Sequence, residues 1–175
     1  MSATALPLRQ AMDANSTATA FTAKIPVATK PSGTGVFDVF AAALGIATAH
    51  CLPKFLQVIP FGTDADGETF DLRVWGWSRV LGGNLWVPQL LTQLAVTLGN
   101  VSGAAIGTNH FLSDTLVATD GAVADSGTGT SILSPENDTP ASALIHLRGC
   151  ELIEFDFDLG TAAAANAYWR AMDQS

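Results

Sequence analysis

Three carboxylates at alternate positions, Glu154, Asp156 and Asp158, form the sharpest polar feature of the chain. Residues two apart on a strand share one face and stand about 7 Å from each other. Acids so placed can hold a hard cation, meet the cations of a neighbouring surface, or stay solvated. Like charges at this spacing repel unless one of those conditions is met. A collinear row offers no chelating turn, so a solvated face is the simplest reading.

The run Asp64-Ala65-Asp66-Gly67-Glu68 begins like a calcium loop. It lacks the Glu at the loop's twelfth position and the flanking helices, and reads as a tight turn. His50 beside Cys51 sets a base next to a thiol, but neighbours on an extended chain point to opposite faces and share a proton poorly. His110 and His146 have no ligand partner at metal-site spacing. Neither a phosphate-cradling glycine loop nor a Gly-x-Ser-x-Gly elbow occurs. No catalytic, cofactor-binding or metal-ligating residue is assigned. Trp75 and Trp77 share a strand face with Arg73 and Arg79. Such a pair can stack a sugar, anchor a protein interface, or fill a core.

The elements that must carry these residues read as strands. Phe55 to Phe61 alternates against Leu56, Val58 and Pro60. Thr69 to Val80 places Phe70, Leu72 and Val74 opposite Asp71, Arg73, Trp75, Trp77 and Arg79. Gly82-Gly83-Asn84 is a turn, and Leu85 to Leu98 a further strand in which Pro88 marks an edge or a bulge. Asp114 to Thr119 and Ile132-Leu133 are shorter candidates. Ala143 to Arg148 and Glu151 to Leu159 are expected to form a hairpin broken at Gly149. In its second arm Ile153, Phe155, Phe157 and Leu159 face a core. Thr161 reads as the N-cap of a closing helix from Ala162 to about Met172. The expected fold is mainly β: an antiparallel β-sandwich or jelly roll over residues 33–160, with an extended N-terminal arm over 1–32 and a C-terminal helix and tail over 161–175.

The arm is rich in Ser, Thr and Ala, punctuated by Pro7, Pro26 and Pro31. Leu6, Leu8, Met12, Phe21, Ile25 and Val27 are isolated apolar anchors on it. They suit shallow pockets on a neighbouring subunit, so removal of residues 1–30 is expected to leave the body folded. With Trp75 and Trp77, the anchors Leu6, Leu8, Met12, Phe21 and Ile25 make up the candidate interface.

Composition narrows the function classes. The 175 residues are 48% apolar and only 14% charged, which leaves much neutral surface to be covered by a partner. A net charge of −8, with basic residues scattered, disfavours nucleic acid. The most apolar stretch, Val36 to Leu52, is too short to span a bilayer, and no signal peptide is expected. Cys51 and Cys150 read as buried thiols.

The stretch Leu52 to Gly62, the strand Phe70 to Trp77, and the closing Glu151 to Thr161 with its Ala-rich tail resemble small virion structural proteins of tailed bacteriophages. The resemblance implies a β-sandwich that decorates or cements a capsid lattice, bound to capsid or other virion proteins, often as a trimer. It implies a virion location after assembly in a host cytoplasm, with no catalysis, no cofactor, and neither nucleic-acid nor membrane partners. A tail-tube or head-to-tail connector protein is an alternative station. A carbohydrate-binding module using Trp75 and Trp77 is an alternative class.

Overall fold

A computed structural model describes residues 9–10, 20–21, 23–39, 53–63, 67–99, 110–118, 131–133 and 141–172. Among them all ten elements are strands: β1 (Arg9–Gln10), β2 (Val36–Asp38), β3 (Phe55–Thr63), β4 (Thr69–Arg79), β5 (Trp86–Gly99), β6 (His110–Ala118), β7 (Ser131–Leu133), β8 (Ala143–His146), β9 (Leu152–Leu159) and β10 (Ala164–Met172). Every pairing is antiparallel. One sheet runs β2-β9-β4-β5-β6, and β7 also pairs with β6; the other runs β1-β10-β3-β8. They join where the end of β3 leaves β8 and pairs with β6, at Phe61↔Leu112 through Thr63↔His110.

The core lies between the sheets because each strand sends one alternating set of side chains inward. Phe70, Leu72 and Val74 of β4, and Ile153, Phe155 and Phe157 of β9, are all buried in it, facing Leu56 and Val58 of β3 and Trp169 of β10. Phe155 and Trp169 meet at 6.1 Å between ring centroids, and Phe37 of β2 closes over both, at 6.0 and 4.8 Å. Beside this cluster Gly76 lets Cys150 and Leu91 approach closer than a side chain would permit. A Cβ there would come within 2.9 Å of Cys150 Cβ and 3.1 Å of Leu91. Leu91 reaches this position at a β-bulge, where Val74 pairs with Thr92 but Trp75 already pairs with Leu90.

Two expectations are corrected. The closing helix is a strand: Ala164–Met172 pairs residue by residue with Phe55–Thr63, and Trp169 fills the core. Thr161 caps no helix. Its hydroxyl accepts from the backbone N–H of Thr69 at 2.9 Å, while its own N–H donates to Thr69 O at 2.9 Å. Nine paired backbones and a buried indole outweigh the intrinsic helix preference of alanine, worth only tenths of a kcal/mol per residue.

The hairpin expected around Gly149 is likewise absent. β8 pairs with β3 and β9 with β4, so the turn at Leu147–Cys150 carries the chain from one sheet to the other. Ile145 and Ile153 both belong to the core but lie on different sheets, not on paired strands.

Phe157 is fully buried between the sheets. Phe157→Ala should cost about 3–5 kcal/mol in urea unfolding; a loss under about 1 kcal/mol would mean that the side chain does not occupy the core.

Candidate functional site

The outer face of β4 and β9 gathers most of the polar residues singled out in the sequence. Register sets Trp75 opposite Glu154, Arg73 opposite Asp156, and Asp71 opposite Asp158. This face is not open. Phe21 and the segment from Ala23 to Val27 lie over part of it as a strap. Val27 and Trp86 exchange two backbone hydrogen bonds, at 3.0 and 2.8 Å, and Val27 packs with Val36 against a second small core of Trp77, Trp86 and Leu152.

Lys24 supplies the charge that the acidic row requires. Its Nζ lies 2.6 Å from Glu154 Oε1 and 3.9 Å from Asp156 Oδ2, and all three side chains are largely covered. The other oxygen of Glu154 accepts from Trp77 Nε1 at 2.8 Å. Arg73 stacks its guanidinium 3.9 Å over the Phe21 ring and donates from Nε to Gln93 Oε1 at 2.9 Å. Gln93 in turn donates to Asp71 Oδ2 at 3.3 Å. Burial, and then the facing Asp158, hold the Asp71 carboxyl above its ordinary range; Gln93 and Arg73 offset part of this.

The expected site residues thus separate. Phe21 sits on this face beneath Arg73, while Ile25 is exposed. Trp77 is 4% exposed and belongs to the second core; Trp75 is half-buried, and its indole Nε1 is buried without a hydrogen-bond partner. Leu6, Leu8 and Met12 lie outside the described residues, as do His50, Cys51 and Asp64 to Asp66. On either side of the exposed stretch around Ser32 the chain is held to the body, by Val27 at the second core and by the pairing of β2 with β9.

Lys24 and Trp86 were not singled out from the sequence. Lys24 and Lys30 are the two charged residues between Asp13 and Asp38, a weak signal that they have fixed partners. Lys30 meets Asp38 at 2.9 Å, also within the chain.

The arrangement holds the strap against the β4–β9 face. Lys24 pairs with Glu154 and Asp156, while Gln93 links Arg73 to Asp71. The Cys150 thiol is buried and pushed up to about 12, chiefly by desolvation, which leaves it a neutral packing group at neutral pH. His146 accepts from the Arg148 N–H through Nδ1 and rests on the Phe55 ring. Among the described residues no three His, Cys, Asp or Glu side chains converge as metal ligands, and no helix is long and apolar enough to cross a membrane. Comparison with known protein families, with curated proteins and with solved structures finds no match to this chain.

Lys24→Ala leaves Glu154 covered without its cation and should cost about 1.5–3 kcal/mol in urea unfolding. Combining it with Glu154→Gln should cost less than the sum of the two single changes, since they remove one interaction; strict additivity would break the link between strap and acidic row.

Asp71 gives a pH signature of fixed sign. Below the ordinary carboxylate range, both the folded and unfolded chains hold its proton. As pH rises the unfolded chain releases it first, so stability falls until the folded carboxyl ionises as well. Asp71→Asn removes this loss. The variant should be more stable than the native chain at neutral pH, and its advantage should vanish toward acid, as read from urea melts across the range.

Proposed function

We propose that the chain is a non-enzymatic structural protein of a virion, which binds and stabilises a capsid lattice in the manner of decoration or cement proteins. The observation that carries the reading is the strap. An N-terminal segment poor in charge lies across the outside of a two-sheet β body and is fastened there by an ion pair, a stacked Arg73 and a backbone bridge. The body is built of two antiparallel sheets around one core, which suits a sandwich-type coat subunit. Low overall charge and abundant neutral surface fit a subunit that spends its life against neighbours. A tail-tube or connector position rests on the same features and differs only in station. The sugar-binding alternative is the weaker one, because a stacking platform needs open indole faces and Trp77 is enclosed between Trp86, Leu152 and the strap.

Particles purified from the source of the chain test the reading. The protein should co-purify with them at a fixed copy ratio, and gold-labelled antibody should mark the head surface. Label on the tail or neck would move the protein to that station. Absence from washed particles, with the protein recovered in the soluble cell fraction, would overturn the virion reading.

A further inference from the structure

The exposed large apolar side chains among the described residues are Ile25, Val80, Leu81, Leu85 and Val87. Four belong to the connected end of the β4–β5 hairpin. Ile25 lies two residues from the Val27–Trp86 bridge that ties the strap to the same hairpin. Leu81, at 101% exposure, has no cover at all. Soluble monomers scatter such groups; gathered at one end, they mark a contact surface.

A hollow of about 350 Å³ opens beside Leu81, lined by Arg79, Leu81, Gly82, Gly83, Asn84 and Glu151. Its glycines contribute backbone only: a Cβ at Gly82 would meet nothing within 4 Å. Glu151 Oε1 accepts the Arg79 backbone N–H at 3.0 Å, which brings one residue of each charge to the rim. An apolar knob and a hole of suitable size therefore stand next to each other.

We propose that this end of the molecule is a self-association surface. Two copies meet across a two-fold axis; Leu81 of each enters the hollow beside the hairpin of the other, and Arg79 of each meets Glu151 of the other. The proposal stands whether or not the chain belongs to a shell.

A second copy is favoured over other occupants on three grounds. A two-fold contact is self-complementary, so one patch bearing both knob and hole suffices. The rim carries Arg79 against Glu151, so chains of net charge −8 can approach here with paired charges in place of the repulsion felt elsewhere. A bilayer is disfavoured because the chain is acidic, its basic residues are scattered, and the tryptophans at this end of the hairpin, Trp77 and Trp86, are buried and cannot anchor in headgroups. Five aliphatic side chains fall well short of the roughly 20–30 residues per side of a standard interface, so the dimer is weak and concentration-dependent.

Sedimentation equilibrium of the full chain, from about 1 to 500 µM, tests this. A monomer–dimer equilibrium is expected within that range. Leu81→Asp should weaken it at least about tenfold with no change in melting temperature, because the side chain touches nothing in the monomer. Arg79→Glu and Glu151→Arg should each weaken association, and the double variant should recover it. A monomer at every concentration would overturn the proposal, as would an oligomer that Leu81→Asp leaves unchanged. Leu81-dependent binding to phosphatidylcholine–phosphatidylserine vesicles by a chain that stays monomeric would replace the second copy with a lipid surface.

Discussion

Packing Ile153, Phe155 and Phe157 of β9 into the core commits Glu154, Asp156 and Asp158 to the opposite face, because side chains on a strand alternate. That face is not left to water. Trp77 and Leu152 lie beside it and need cover of their own, so the strap that shields them also covers the acids. A carboxylate taken out of water costs several kcal/mol unless a charge and hydrogen bonds replace its hydration. Lys24 and the Trp77 indole supply them at Glu154, one at each oxygen. The apolar face of β9 thus fixes where the acids stand, and the acids fix which residue of the N-terminal segment must lie above them. Asp158, at the far end of the row, faces Asp71 beside a hollow of about 220 Å³, and there burial, with the Asp158 charge added to it, raises the Asp71 pKa.

Strand positions and facing were legible in the sequence wherever alternation is strict. Burial alternates through most of β4, and in β9 apolar and acidic residues alternate from Ile153 to Leu159; Phe70, Leu72, Val74, Ile153, Phe155 and Phe157, which this sends inward, are all found in the core. Pro88 was expected to mark an edge or a bulge: the bulge lies three residues on, at Leu91, while Pro88 pairs in register with Trp77 and β6 pairs with β5 only from Leu94 to Gly99. Pairing was not legible. A turn at Leu147–Cys150 is written in the chain by Gly149, but a turn does not say whether the strands around it lie side by side or face each other across a core. Here both flanking strands carry a heavy apolar face, and facing across the core buries both.

The C-terminal segment shows the limit of local preference. Ala162 to Ala165 invites a helix, yet a helix of about eleven residues is marginal in water. Gly160 holds the approach: a Cβ there would come within 2.7 Å of Thr69 O, so the chain passes against β4 before it turns. The N–H groups of Thr161 and Ala162 then both donate to that same oxygen, and Ala163 donates to Thr63 O. Three consecutive amides are drawn toward the ends of β3 and β4 before a helical turn can close. The alanines beyond serve packing, since Ala165, Ala167 and Ala171 let β10 lie close under the opposite sheet while Trp169 fills the space between.

The strap was the least legible feature, for a reason of distance in sequence: Lys24 and Glu154 are 130 residues apart, and nothing near Lys24 announces its partner. Its attachments are individually modest. A charged hydrogen bond, a cation–π contact and a two-bond bridge are each worth on the order of 1–2 kcal/mol. Their sum is smaller than the stability of a domain, so lifting the strap is a local event distinct from unfolding the sheets. Yet lifting it would uncover Trp77, Trp86 and Leu152 together with two carboxylates deprived of their cation. That combination of apolar area and unbalanced charge is unfavourable in water, and no rearrangement of β9 can relieve it, because the register that exposes the acids is the one that buries Phe155 and Phe157. The closed strap therefore follows from the core, and only a surface that offered β9 another cation and another apolar cover could take its place.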